Sequence, residues 1–168
     1  MKIYHYTDLA RFQTIIDSEK LITSLAEKKL GVKKPALWFS SNPIFEISMY
    51  KGFQEPDGTI QYYLTAEEMA SKIGLIRFEV TRTESFLTWK KYQRKVKNHS
   101  GVYLAMEEKA IKDGANPDEW YALLSPLSLD RVENIGIFID GKWQLLDNQD
   151  AMLKGIQQAE YLEAGKIS

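Results

Sequence analysis

Apolar and polar positions alternate along the chain in short blocks, and the period of the alternation changes from block to block. Lys2 to Tyr6 reads as a short strand, and Asp8 is placed to cap a helix whose apolar positions Leu9, Phe12, Ile15 and Ile16 follow helical spacing. A polar stretch from Ser24 to Lys34 reads as loop and ends at Pro35, before a strand-length apolar run, Ala36 to Ser40. Asn42-Pro43 then predicts a helix reaching about Tyr50, because proline suits a first helical position. Gly52 to Gly58 reads as a turn-rich loop, and Thr65-Ala66-Glu67-Glu68 is a capping box opening a short helix that stops at Gly74. In Leu75 to Val80 the residues Ile76, Phe78 and Val80 alternate with Arg77 and Glu79, the mark of a half-buried strand.

Farther on, Glu84 to Lys97 and Tyr103 to Asp113 read as helices, the second closed by Gly114, and Glu119 to Leu124 reads as a strand. Val132 to Ile139 and Lys142 to Leu146 form a hairpin across Asp140-Gly141. A last helix follows, capped at Asn148 or Asp150 and running through Met152, Ile156, Ala159 and Leu162. Several short strands lack a crossover helix between them. The expected fold is therefore α+β, one domain over residues 1–168 with an antiparallel or mixed sheet flanked by helices. Neither a P-loop nor a dinucleotide-type glycine fingerprint is present.

Composition narrows the chemistry. The absence of cysteine removes disulfides, thiolate nucleophiles and Fe–S ligands, and it fits a reducing, cytoplasmic setting. Met1-Lys2-Ile3-Tyr4-His5 has no run resembling a signal peptide, and no stretch approaches the roughly 18 apolar residues of a membrane span. With His5 and His99 as the two histidines, a site built on several imidazoles is not expected. A net charge of -1 removes bulk charge as a route to polyanions, so nucleic-acid contact requires a local patch. Lys90, Lys91, Arg94, Lys95 and Lys97, around Trp89 and Tyr92, form one candidate. A solvated helix face over a buried Trp reads the same pattern equally well.

Three segments can carry chemistry. His5, in Tyr4-His5-Tyr6-Thr7, stands where strand gives way to helix, and a lone histidine there is more often a satisfied, partly buried strand-end residue. Phe39 and Tyr50, with ten residues between them, can line one pocket and clamp a flat heteroaromatic ring, or belong to the core. Glu119, in Asn116-Pro117-Asp118-Glu119-Trp120-Tyr121, is a carboxylate at the mouth of a strand, or an ordinary solvated one.

Taken in order, these segments resemble the ADP-ribosyltransferase superfamily of the diphtheria-toxin and poly-ADP-ribose-polymerase type, described by a His, Tyr, Glu signature on three separate strands. His5 in His-Tyr-Thr matches the first motif, Phe39 and Tyr50 the paired aromatics, and Glu119 the third, with Glu107, Glu108, Asp118 and Glu133 as alternatives. The opening also resembles small bacterial and phage members of the group. The resemblance implies a split antiparallel or mixed sheet flanked by helices, NAD as substrate, and a mono-ADP-ribosyl transfer of the glycosyltransferase class. The acceptor would be a nucleic acid or a protein, in the setting of a toxin, a phage conflict or DNA/RNA modification, with an antitoxin as a further partner. It assigns catalysis to Glu119 and His5, NAD contacts to His5, Tyr6, Thr7, Phe39, Ser40 and Tyr50, and acceptor choice to the polar loop Ile111 to Asp118. The alternatives are a non-catalytic nucleotide- or nucleic-acid-binding domain of the same fold, an antitoxin or adaptor domain, and an RNA 2′-phosphotransferase.

Overall fold

The structure is a computed structural model that describes residues 1–29, 31–96 and 100–146. Lys97, His99 and the last predicted helix lie outside the described residues. The chain opens with β1 (Lys2–Thr7), α1 (Leu9–Ser18), β2 (Lys20–Leu21), α2 (Leu25–Lys29) and β3 (Leu37–Ser40). After a 3₁₀ turn at Ile47–Met49 come β4 (Gly52–Gln54), β5 (Ile60–Tyr62), α3 (Ala66–Ile73), β6 (Ile76–Thr81) and β7 (Leu87–Thr88). Then follow α4 (Trp89–Lys95), α5 (Ser100–Lys112), a 3₁₀ turn at Pro117–Glu119, β8 (Trp120–Leu123) and β9 (Leu127–Ser128). A further 3₁₀ turn leads to β10 (Asn134–Ile139) and β11 (Lys142–Leu145).

Seven of these strands form one sheet in the order β11-β10-β6-β1-β3-β8-β7, antiparallel at each described pair. The chain is thus α+β with helices about an antiparallel sheet. Register decides the faces, because residues directly opposite one another point the same way. His5 opposes Phe78, Ile3 opposes Val80, and Phe39 opposes Tyr121. This face buries Ile3, Phe39, Phe78, Tyr121 and Ile137 against Leu9, Phe12 and Ile15 of α1. Asp8 starts α1 by accepting the Arg11 N–H at 2.8 Å. Each such fully buried side chain contributes about 1.5–3 kcal/mol.

The opposite face carries two separate clusters. Trp89, Tyr92, Tyr103 and Trp120 gather over the β3–β8 end, with Trp38 and Tyr50 beside them. Tyr6, Phe45, Met69 and Phe138 gather over the β1–β10 end, with Tyr4 and Trp143 beside them. The first cluster is tied to a buried carboxylate. Glu27 of α2 accepts the Ala36 N–H at 2.6 Å, the Trp38 indole N–H at 2.9 Å and the Tyr103 hydroxyl at 3.2 Å. Burial raises its pKa against the pull of these donors.

Several expectations change. Ser24 to Lys34 is not all loop, since Ser24 Oγ accepts the Glu27 N–H at 3.2 Å and starts α2. Gly52 to Gly58 is not merely a loop, since β4 and β5 make a hairpin there. The helix expected over 43–50 is replaced by the 3₁₀ turn. Its cause is competition for carbonyls. Tyr6 Oη takes the Asn42 carbonyl, Arg77 Nη1 that of Pro43, and Trp143 Nε1 that of Ile44 at 3.0 Å, so those groups are engaged by side chains rather than by helix N–H groups. The helix predicted over 84–97 shortens to α4 because Leu87–Thr88 pairs with β8 as an edge strand. Thr65 Oγ1 caps α3 by accepting the Glu68 N–H, while the Glu68 carboxylate reaches back to the Leu64 N–H instead of that of Thr65; the alternation in β6 and the Asp140-Gly141 turn form as the pattern predicts.

Gly74 ends α3 at φ +74°, and a Cβ there would lie 2.3 Å from Cγ of Leu9, itself buried in the core. Gly74→Ala is expected to destabilise the fold by about 2–3 kcal/mol, from backbone strain and overlap together. Urea unfolding would show this as a lowered midpoint at unchanged slope; an unchanged midpoint would contradict it.

Candidate functional site

The three motif segments fall on neighbouring strands. His5 lies on β1, Phe39 and Ser40 on β3, and Glu119 immediately before β8, and these strands are adjacent in the order β1-β3-β8. The β3–β8 ladder runs on past its last pair, because the Ser41 N–H donates to the Glu119 carbonyl at 2.9 Å. Between β1 and β3 the pairing is confined to Tyr4 and Ser40. Beside that rung His5 Nδ1 sits 2.9 Å from the Trp38 carbonyl. A carbonyl only accepts, so Nδ1 carries the hydrogen and Nε2 is left as an acceptor. The imidazole takes the place of a ladder bond across the gap.

The His5 ring packs 5.7 Å from Phe39 and 6.3 Å from Phe78, centroid to centroid. Burial lowers its pKa to about 4, the Trp38 hydrogen bond opposing and nearby Lys51 reinforcing the shift. His5 is therefore neutral at pH 7. Thr7 is buried on the same face. Burial opposes ionisation of Asp8, yet Lys51 at 3.1 Å and the Arg11 N–H outweigh it and hold its carboxyl below the usual range.

Phe39 and Tyr50 do not face one another. Phe39 is 3 % exposed, edge-on to Phe86 at 5.0 Å in the core beneath α1. Tyr50 packs with the cluster on the other face of the sheet, at φ +43°. Its hydroxyl donates to Asp113 at 3.0 Å, and Lys109 Nζ stands 4.5 Å from its ring centroid. Burial and that carboxylate raise its pKa. The unformed helix over 43–50 explains the separation, since the intervening chain leaves β3 along a different path.

Glu119 borders a cleft of about 150 Å³ on Tyr50's side of the sheet. Asn42, Phe45, Glu46 and Ile47 make one wall, and Asn116 and Glu119 belong to the other. Glu46 Oε1 accepts from the Trp120 indole N–H at 3.1 Å, the Ser48 N–H at 3.1 Å and the Ser48 hydroxyl at 2.6 Å. The Glu119 carboxylate has no hydrogen bond or ion pair among the described residues. Tyr6 and Ser40 act one step behind the wall: Tyr6 Oη binds the Asn42 carbonyl and Ser40 Oγ accepts the Asn42 N–H at 3.1 Å. Two carboxylates and two amides around one hollow can hold sugar hydroxyls and favour a developing positive charge. The hollow admits a single ring or sugar, since whole small-molecule sites run to roughly 300–1,000 Å³.

Asn42, Glu46 and Asn116 were not singled out by sequence. The available signal is the repeated Asn-Pro pair, Asn42-Pro43 and Asn116-Pro117, each asparagine accepting a backbone N–H two residues on. On α4, Lys90, Lys91, Arg94 and Lys95 are exposed, whereas Trp89 and Tyr92 are buried and unavailable for stacking. Among the described residues there is no cluster of three metal-ligating side chains, and no helix is long and apolar enough to cross a membrane. No protein-family model, curated protein or solved structure matches the chain.

The unfolded chain protonates His5 near pH 6.5 and the folded chain only near pH 4. The unfolded state thus takes up the proton first, and stability falls as pH drops through that window. Part of the residue remains solvent-accessible, so the expected loss is about 2 kcal/mol. His5→Gln should lack it. Melting temperatures of both proteins at pH 7 and pH 4.5 check this, and parallel declines would contradict it.

Proposed function

We propose that the chain is a domain of the ADP-ribosyltransferase type, using NAD as substrate and modifying a macromolecule at the cleft beside Glu119. The observation that supports this reading is that β1 and β3, which carry His5 and Phe39, and β8, which Glu119 precedes, are neighbours in the sheet, and that the Glu119 carboxylate, unpaired among the described residues, borders a hollow on the face opposite His5.

In this reaction the bond from ribose C1′ to the nicotinamide nitrogen breaks. The electron pair leaves with the nitrogen and neutralises its positive charge, and C1′ becomes oxocarbenium-like, as in glycoside cleavage. Glu119, fixed before β8, stabilises that charge, and Glu46 across the cleft adds a second negative group held by Trp120 and Ser48. An acceptor nucleophile then bonds to C1′ and releases its proton to Glu119 or to solvent. His5 is a positioning residue, holding β1 against β3 through the Trp38 carbonyl. Tyr6 and Ser40 position Asn42. The stacking role drawn from the Phe39–Tyr50 pair finds no support in their placement on opposite faces of the sheet.

A second reading, a non-catalytic nucleotide-binding domain of the same type, is favoured by the size of the cleft and by the commitment of His5 Nδ1 to the backbone. One measurement tests both readings and a second separates them. NAD⁺ at about 100 times its Kd should raise stability by roughly 2.7 kcal/mol under either. Nicotinamide release occurs only under the first, and Glu119→Gln should lower it about 10²–10³-fold while leaving the thermal shift intact. Normal turnover by Glu119→Gln, or no thermal shift with NAD⁺, would refute the assignment.

A further inference from the structure

We infer that the macromolecule is a nucleic acid, held through its phosphates by a basic surface that α4 builds together with the segment from Lys28 to Lys34. The inference rests on the proposed function for what happens at the cleft, but not for the binding itself.

On α4 the buried positions are Trp89 and Tyr92, continued by Val96, and Lys90, Lys91, Arg94 and Lys95 occupy the arc opposite them. Of the α4 side chains, Gln93 is half-buried and donates to Glu107 at 2.9 Å. The solvent face of the helix is therefore entirely cationic. Lys28, Lys29, Lys33 and Lys34 are exposed on the segment packed against the inner side of this helix. The Tyr92 hydroxyl donates to the Lys34 carbonyl at 3.1 Å, and Val32 and Ala36 share the cluster of Tyr92 and Val96.

These eight cations are poorly compensated. Lys90 pairs with Asp118 at 3.2 Å, and none of the other seven has an ion pair among the described residues. The one acid within 27–35 and 87–96 is Glu27, which is buried and hydrogen-bonded inward. With Glu27 included, the two stretches carry a charge of about +7, and the chain as a whole carries -1, so everything outside them sums to about -8. Such segregation of charge on a near-neutral protein makes a directional positive surface. No described large hydrophobic side chain is exposed within 28–34 or 89–96, so the basic stretches themselves lack the aromatic or aliphatic anchors that dominate protein interfaces, although Leu25 of α2 and Leu104 and Met106 of α5 are exposed on adjoining elements. A phosphate backbone requires none. The Lys90–Asp118 pair places the start of α4 beside the turn that carries Glu119.

The test is fluorescence anisotropy with short labelled single-stranded DNA, single-stranded RNA and duplex DNA, without NAD⁺, over a range of salt. Flotation with vesicles of phosphatidylserine and phosphatidylcholine runs in parallel. For single strands the expected slope of log Kobs against log salt is about -3 to -5. The variant Lys33→Glu/Lys34→Glu/Arg94→Glu/Lys95→Glu should bind at least about ten-fold more weakly with roughly half that slope. A matched variant at exposed cations elsewhere, Lys20→Glu/Lys72→Glu/Arg131→Glu/Lys142→Glu, should retain binding. Corresponding Gln substitutions at 33, 34, 94 and 95, with melting curves, separate loss of charge from loss of fold. No binding to any oligonucleotide at low salt, equal losses in both charge variants, or tighter binding to vesicles than to every oligonucleotide would overturn the inference. Oligonucleotide binding without nicotinamide release keeps the surface and refutes the transferase; the reverse result refutes the surface alone.

Discussion

Two half-sheets meet at a single seam. β11, β10, β6 and β1 lie on one side of it and β3, β8 and β7 on the other. The described joint consists of one backbone pair, Tyr4 with Ser40, and the imidazole of His5 on the Trp38 carbonyl. A buried hydrogen bond of this kind contributes about 1 kcal/mol, but leaving the carbonyl unmet costs more than the bond gives. Burial favours the neutral ring, whereas the Trp38 hydrogen bond, which Nδ1–H makes in either protonation state, favours the charged one, so burial, hydrogen bonding and pH all bear on the same ring. What the site can do depends on this seam, because it fixes β3 and β8, and with them Glu119, relative to β1.

On the far side of the sheet, separate hydrogen-bonded hubs hold the walls in place. Glu27 ties α2 and β3 to Tyr103 of α5, which in turn meets Tyr92 of α4 at 2.9 Å. Tyr6, Arg77 and Trp143 engage three successive carbonyls of the 42–44 segment. Arg77 itself lies between the Tyr4 and Trp143 rings, 4.8 and 4.3 Å from their centroids. One wall of the cleft is thus built by side chains from β1, β6 and β11, and the other by the turn that precedes β8. Such fixed surroundings matter for any reaction that a carboxylate assists, since misplacement by about 1 Å can cost two orders of magnitude in rate.

Local pattern was informative wherever local chemistry decides the backbone. Ile76, Phe78 and Val80 alternate because one side of β6 faces the core, and Asp140-Gly141 turns because both residues accept positive φ. It failed where distant side chains compete for the backbone: no window around Asn42-Pro43 contains Arg77 or Trp143, whose bonds replace the expected helix. The same limit governs the site. His5 and Glu119 stand out as residue types near strand ends, but Phe39 is turned to the α1 face by a register set with β1 and β8, and Tyr50 lies on the other face because the helix over 43–50 does not form. Glu46 is invisible as a site residue until Trp120 is brought to it. Lys28 to Lys34 read as ordinary polar loop until Tyr92 joins that segment to α4.

The central claim is that the nicotinamide ribose of NAD⁺ enters the hollow between Glu46 and Glu119. The Trp120 indole N–H reports on that place directly, because it donates to Glu46 at the cleft wall. In a ¹H–¹⁵N spectrum the four tryptophan indole signals can be assigned by single Trp→Phe substitutions. The account predicts that titration with NAD⁺ moves the Trp120 signal saturably while that of Trp143, on the Ile44 carbonyl, stays in place. A Trp120 signal that does not move at millimolar NAD⁺ would contradict it.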